Sequence, residues 1–399
     1  MLNSLQQTHE NYIKALQTIS SPCLFLDLDA FEANRDWVLK NAGDKTIRVA
    51  TKSLRSVKII RTILESSPVF RGLMTYTLPE ALHLRSLGFR DLLMGYPTWD
   101  EVSLKCLARD PSEITLMVDL PEHLKLLEKI AAQAGTRLHV CVDLDLSMEL
   151  PGLRFGVYRS ALNTCEKLRE FLSVLRLCSH LELVGAMGYE AQIAGVGDRS
   201  SPLVRFLQKV SVSQLRKRRK RMVELLRNEG HTLRFVNGGG TGSLQLTSQE
   251  EIVTEITVGS AFYAPWLFDH YRSFSLKPAM GFTLPVVRAP LKGVLTAQGG
   301  GYVASGSRDP SKLPKPYLPE GIELLTHEGA GEVQTPFRQR RFPGGKIPPG
   351  AASKVGDLIF MRHAKAGEPC ERFNEIHLIR KGVYEGKVAT YRGEGKAFT

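Results

Sequence analysis

The chain has 399 residues, of which 43% are hydrophobic and 24% charged, and it carries a formal net charge of +12. That length excludes one small domain and suits two, and the composition is that of an ordinary soluble globular protein able to bury a large core. No run of eighteen apolar residues marks a membrane span, and the first twenty residues lack the basic and then apolar pattern of a secretion signal, so no membrane partner is expected.

Residues 1–20 carry Leu2, Leu5, Tyr12, Ile13, Leu16 and Ile19, a spacing that predicts an N-terminal amphipathic helical segment packing on the C-terminal domain or the barrel. Six scattered cysteines with no CxxC argue against a disulfide framework or a zinc finger and point to a reducing cytoplasm.

From 46 to 260 short β-rich runs alternate with helical stretches. The runs are TIRVAT (46–51), RGLMTY (71–76), DLLMGY (91–96), EITLMVD (113–119), LHVCVDLD (138–145), LELVGAMGY (181–189), LRFVNGG (233–239) and IVTEITVG (252–259). Alternation predicts a parallel sheet, and eight strands predict a closed (β/α)8 TIM-type barrel over 21–275. Beyond residue 275 the rhythm stops, and shorter apolar runs separated by Gly and Pro predict an antiparallel β domain over 276–399 that contributes to the active site. The basic run RKRRKR at 216–221 reads as one exposed helix face, with a polyanion site as the alternative; without interleaved aromatics or a recognisable module, no nucleic-acid partner is expected.

Chemistry in such a barrel sits where strands end. After the first strand comes Lys52, followed by Ser53 and Arg55, placed either to attack a carbonyl or to sit in a salt bridge. After the fifth, Arg154 follows a Pro-Gly turn and either faces a ligand or pairs with Asp143, Asp145 or Glu149. After the sixth come Tyr189 and Gln192. After the seventh comes NGGGTGS: Asn237, Gly238, Gly239, Gly240, Thr241 and Gly242, a turn whose N–H groups form a candidate phosphate cradle. Gly259 and Ser260 after the eighth complete it. A lysine beside a phosphate cradle suits a cofactor with an aldehyde at one end and a phosphate at the other, which is the shape of pyridoxal 5′-phosphate.

These motifs resemble the fold type III pyridoxal-phosphate enzymes, the alanine-racemase-like barrel plus β domain, and within them the D-threonine aldolase and D-serine dehydratase branch. RVATKSLRS is similar to the strand carrying the branch's Schiff-base lysine, PGLRFGV to the segment whose arginine sits near the cofactor ring, VNGGGTGS to its phosphate loop, and TEITVGSAFY to its last barrel strand. The resemblance implies that Lys52 binds the cofactor, that Arg154 lies near it, and that the protein is a homodimer. It also implies a divalent metal held by a histidine and a cysteine or aspartate two residues later. His363 in MRHAKAGEPCERFNE stands for the histidine, but Lys365 occupies the second position and is a poor ligand while protonated. Whether a metal binds is therefore open at this stage: His363 is its ligand if it is present, with Glu368 and Glu371 as fallback oxygens, Cys370 structural, and the upstream His327 and Glu328 matching the branch's acid/histidine segment.

The function implied is a lyase acting on β-hydroxy D-amino acids by retro-aldol cleavage to glycine and an aldehyde, with Lys52, Arg154, His363 and Lys365 as catalytic candidates. The alternatives are an ammonia lyase of the D-serine dehydratase type, an amino-acid racemase, and a non-catalytic pyridoxal-phosphate carrier. In the absence of a metal, Lys365 supplies positive charge and His363 acts as acid or base.

Overall fold

A computed structural model describes residues 2–150, 152–199, 201–307, 309–340 and 352–398. The centre of the Gly/Pro-rich basic stretch, 341–351, lies outside the described residues. The chain forms two compact units, one of 38–52, 60–259 and 398–399, the other of 1–37, 53–59 and 260–397.

The first unit is a closed barrel of eight parallel strands: β1 (Thr46–Ala50), β2 (Phe70–Thr75), β3 (Leu92–Met94), β4 (Ile114–Val118), β5 (Leu138–Asp143), β6 (Leu181–Gly188), β7 (Phe235–Gly238) and β8 (Glu255–Val258). Each falls within or overlaps one of the expected runs. The runs are mostly apolar because parallel strands are covered on both faces. The helices between them show the complementary period. In Pro121–Ala134, proline opens the first turn, Leu124, Leu127, Ile130 and Ala131 are buried, and Gly135 ends the helix at φ 64°. In Cys165–Leu175 the Thr164 side chain caps the first turn by accepting from the Lys167 N–H, and Leu168, Phe171, Leu172 and Leu175 face inward.

The barrel interior is filled by Leu93, Met117, Cys141, Val184, Met187 and Phe235, with Met74 packed against them. Gly185 is dictated by this packing, since a Cβ there would lie 2.3 Å from Phe235 Cζ. One buried cation also lies within the wall. Arg48 on β1 donates to both carboxylate oxygens of Glu255 on β8, at 2.6 and 2.8 Å, and to Asp91 Oδ1 at 3.0 Å before β3. Its remaining nitrogen donates to the Asp91 carbonyl at 2.8 Å. Asn237 on β7 extends the network by donating to Glu255 Oε1 and Thr257 Oγ1, both at 2.8 Å.

The second unit is a nine-stranded, mostly antiparallel sheet. Its main path runs Ile322–Leu324, Gln334–Gln339, Val294–Gln298, Met280–Leu291, Leu24–Asp27, Glu375–Arg380 and Val383–Ala389; Leu358–Arg362 branches from Met280–Leu291, and Lys315–Leu318 pairs with Leu358–Arg362. One pairing is parallel: Leu24–Asp27 lies along Glu375–Arg380. Segments that strand–helix alternation alone assigns to the barrel, 21–37, 53–59 and 260–275, belong to this unit. Leu24–Asp27 is drawn there by its ladders on both sides. Residues 53–59 are tied there by the Tyr391 N–H to Arg55 O bond at 2.8 Å and the Ser56 Oγ to Ala389 O bond at 2.7 Å. The N-terminal helix Leu2–Leu16 packs Tyr12, Ala15 and Leu16 against Cys23, Phe25, Leu318, Phe360 and Ile379 of the same sheet. Among the described residues no helix is long and apolar enough to cross a membrane.

Glu255→Ala is expected to lower the unfolding free energy in urea by about 3 kcal/mol, because it strands the Arg48 guanidinium in the barrel wall. Arg48→Met combined with Glu255→Leu is expected to cost far less, since neither charge then remains buried alone.

Candidate active site

Lys52 sits in a single 3-10 turn, Thr51–Ser53, immediately after β1. Thr51 anchors that turn to β2 by donating its hydroxyl to Met74 O at 3.0 Å. The Lys52 side chain is exposed, and its Nζ donates to Tyr96 Oη at 2.9 Å. Tyr96 leaves the end of β3 through Gly95, whose N–H bonds Thr75 O at 2.9 Å. Beside Tyr96 stands Arg159, its guanidinium carbon 5.6 Å from the Tyr96 ring centre and 5.5 Å from that of Tyr189. Tyr189, just past β6, packs beside the glycine turn: a Cβ on Gly240 would lie 3.3 Å from Tyr189 Cε2. Lys52, Tyr96, Arg159, Tyr189 and Gly240 thus form a string across the C-terminal mouth of the barrel.

Burial pushes the Tyr189 hydroxyl pKa up to about 12, with Arg159 pulling the other way. Asp143, at the end of β5, is raised to about 8 by burial and by neighbouring Asp119, with Arg159 opposing and Asp145 adding. Tyr96 and Arg159 do not appear among the sequence candidates. Tyr96 was legible, since it ends the run DLLMGY; Arg159 follows Arg154 by five residues and carries no periodic signal.

Behind the glycine turn lies a buried ion triad. Arg219 donates to Glu190 Oε2 at 2.7 Å, Glu250 Oε2 at 2.6 Å and Gly188 O at 3.0 Å. Glu190 in turn accepts the Gly239 N–H at 3.1 Å and the Thr247 hydroxyl. Gly239 takes φ 81°, and a Cβ there would lie 2.5 Å from Ile256 Cγ2, so glycine is required twice over. The Gly240 N–H donates to Ser243 Oγ at 3.1 Å. The N–H groups of Gly239 and Gly240 therefore shape the turn itself, and half-exposed Gly242 is its solvent-facing part.

This triad also corrects the reading of 216–221 as one exposed face. Arg219 is fully buried, Arg216 donates to Leu246 O at 2.7 Å, and Arg218 donates to Ser147 O at 2.7 Å. Lys217, Lys220 and Arg221 are the exposed members. Six consecutive residues exceed one 3.6-residue turn, so the run of the helix Pro202–Asn228 must meet the barrel somewhere.

Other candidates are placed as follows. Arg154 pairs with Asp145 at 2.7 Å and Glu149 at 2.8 Å, the ion-pair alternative. Gln192 is buried and donates its amide to Leu146 O and Ser211 Oγ, both at 2.8 Å. Asn237 joins β7 to β8 through Glu255 and Thr257, as described above. Gly259 follows β8 directly, and in the sheet unit Ser260 Oγ lies 3.2 Å from Ser53 Oγ.

The segment MRHAKAGEPCERFNE lies in the sheet unit. His363 is buried; its Nδ1–H donates to Met280 O at 3.2 Å, and Nε2 is left without a hydrogen-bond partner. Burial first, and Arg362 second, lower its pKa to about 3, so the ring is neutral at pH 7. Lys365 Nζ donates to Ser305 Oγ at 3.0 Å and lies 3.8 Å from Glu368 Oε1. Glu368 accepts the Ser305 hydroxyl at 2.5 Å and its N–H at 2.9 Å, while Glu371 pairs with Arg55. Cys370 is buried and donates to Leu54 O at 3.5 Å. His327 and Glu328 are exposed in a turn. Among the described residues no three His, Cys, Asp or Glu side chains gather as a metal site. Since both fallback carboxylates are engaged elsewhere, this donor set does not fit a divalent metal at His363.

Residues 26–265 match the alanine racemase N-terminal domain family. The chain belongs to that family. Among curated proteins, this family member is 27% identical over 254 residues to a 3-hydroxy-D-aspartate aldolase of Paracoccus denitrificans (strain Pd 1222), covering 61% of this chain and 60% of that one. It is 24% identical over 253 residues to a D-threonine aldolase of an Arthrobacter species, covering 61% of each. The match thus spans about 60% of the length of these curated relatives. Among solved structures, D-threonine aldolase from Filomicrobium marinum superposes with a TM-score of 0.78 at 18% identity, over 94% of this chain and 96% of that one. D-threo-3-hydroxyaspartate dehydratase from Delftia sp. HT23 superposes with a TM-score of 0.77 at 16% identity, over 94% and 98%. These two likenesses establish the shared architecture, a barrel with a mostly antiparallel sheet.

Asp143 yields a prediction with a definite sign. A carboxyl raised to about 8 in the folded state keeps its proton where the unfolded chain releases it. Its stabilising contribution is complete below the ordinary carboxyl range and is lost as pH rises towards 8. Asp143→Asn is therefore expected to gain stability over the natural protein as pH rises from 5 to 8, by up to about 1.4 kcal/mol per pH unit. Urea unfolding of both proteins at several pH values checks this.

Proposed function

We propose that the protein is a pyridoxal-phosphate-dependent lyase that cleaves β-hydroxy D-amino acids to glycine and an aldehyde. The observation that carries the reading is the string across the barrel mouth, with an exposed primary amine at one end and a glycine turn at the other. The residues fit the cofactor on two counts. Lys52 offers an amine to an aldehyde. At the far end of the string half-exposed Gly242 leaves the outer part of the glycine turn without a side chain, where an anion can approach. The curated aldolase relatives support the same substrate class.

Pyridoxal phosphate, when bound, supplies the electron sink for the bond broken at Cα. The protein does the rest. Lys52 would hold the cofactor at the end of β1, and the glycine turn over 238–242, shaped from behind by Glu190 and Arg219, would receive its phosphate beside Gly259. Tyr189 presents a ring edge to the same turn. Arg159, held between two tyrosine rings, offers the guanidinium to an anionic oxygen, a role for which the ion-paired Arg154 is less suited.

The reading includes catalysis without a divalent metal, supported by the engaged donors around His363. In that reading Lys365, held on Ser305 and Glu368, supplies the positive charge. It also includes a cytoplasmic setting, supported by six free cysteines, and a homodimer, implied by family resemblance.

The purified protein is expected to absorb in the visible from bound cofactor, and Lys52→Ala is expected to lose that absorbance. With D-β-hydroxy amino acids, aldehyde and glycine are expected; a keto acid with ammonia would mark a dehydratase, and D/L interconversion alone a racemase. Dialysis against a chelator is expected to leave the rate unchanged within about twofold. Loss of activity restored by adding a divalent metal would overturn the metal-independent reading.

A further inference from the structure

The Lys52–Tyr96 contact goes beyond the reading above and rests on it. The 2.9 Å hydrogen bond and the 5.3 Å from Nζ to the ring centre place the nitrogen beyond the hydroxyl, not over the ring face. Tyr96 is therefore a hydrogen-bond partner of the amine and not a cation–π seat for it. Its own position is fixed by the close of β3: a Cβ at Gly95 would lie 2.8 Å from Met74 Cγ, and Pro97 follows. On its other side stands the Arg159 guanidinium. Tyr96 is thus a polar group on a rigid strand end, while Lys52 carries four rotatable methylenes and is exposed.

We propose that Tyr96 is the positioning residue of Lys52 and the partner through which its amine exchanges a proton. An ammonium has no lone pair, so Nζ must shed one proton before it attacks an aldehyde. In the hydrogen bond seen here, Nζ passes that proton to Tyr96 Oη as the hydroxyl proton leaves to water. The phenol is regenerated, and one proton reaches solvent. On release of the cofactor the same path runs in reverse. The hydrogen bond also restricts where Nζ points, so the amine meets the aldehyde without a search through its rotamers.

The test follows covalent capture of the cofactor by the full-length chain, stripped with hydroxylamine and mixed rapidly with pyridoxal 5′-phosphate between pH 6 and 10. Borohydride reduction and peptide mass analysis locate the attachment. Tyr96→Phe keeps the ring beside Arg159 and removes only the hydroxyl. It is expected to slow capture at least about tenfold and to change the pH profile of the rate, with the final extent of attachment at Lys52 retained. Tyr96→His, which can also accept and pass a proton, is expected to recover part of the rate with an inflection near about 6.5. Capture by Tyr96→Phe at the natural rate and with the natural pH profile would overturn the proposal alone. Failure of the natural protein to attach cofactor at Lys52 would overturn the functional reading itself.

Discussion

The barrel mouth depends on one closure. Strands β1 and β8 are far apart in sequence and must lie edge to edge before Lys52 can share a rim with the glycine turn. Their backbone ladder is short, pairing Thr46–Val49 with Glu255–Val258. Arg48 and Glu255 reinforce it with a two-pronged ion pair inside the wall, and Asn237 carries the link on to β7. A buried guanidinium is tolerated because its donors meet Glu255, Asp91 and backbone carbonyls, which offsets the loss of water. An apolar pair would also close the wall, but it would not fix the register with the same direction-dependence.

A second buried charge cluster acts on the glycine turn. Glu190 follows Tyr189 directly, and its carboxylate accepts from Arg219, Thr247 and the Gly239 N–H. Tyr189 and the turn therefore share one support. Arg219 reaches this place from the middle of a conspicuously basic helix run. The positive composition there is partly surface and partly scaffold, and Glu250 and Glu190 account for the scaffold part.

The segment around His363 is held by contacts within the sheet unit. Histidine remains, buried and neutral, with Nδ1 bonded to Met280 O. Lys365, two residues on, donates to Ser305 Oγ and lies beside Glu368.

The sequence by itself determined the eight barrel strands and the positions of Lys52 and the glycine turn, because each is written in local period or in residue type. Strands buried on both faces leave continuous apolar runs, and a turn that forbids side chains leaves glycines. Only the tertiary structure decided which polar side chains face the mouth. Arg154 and Arg159 are alike in type and five residues apart, yet one is drawn to Asp145 and Glu149 and the other to Tyr96 and Tyr189. Asn237 near the end of β7 and Gln192 in the helical turn after β6 are placed as binding residues would be, but Glu255, Thr257, Leu146 and Ser211 engage their amides. Leu24–Asp27 reads as a barrel entry, but its ladder partners are a strand some 250 residues later and another some 350 residues later. Such choices depend on long-range pairing of donors with acceptors, which no local pattern records.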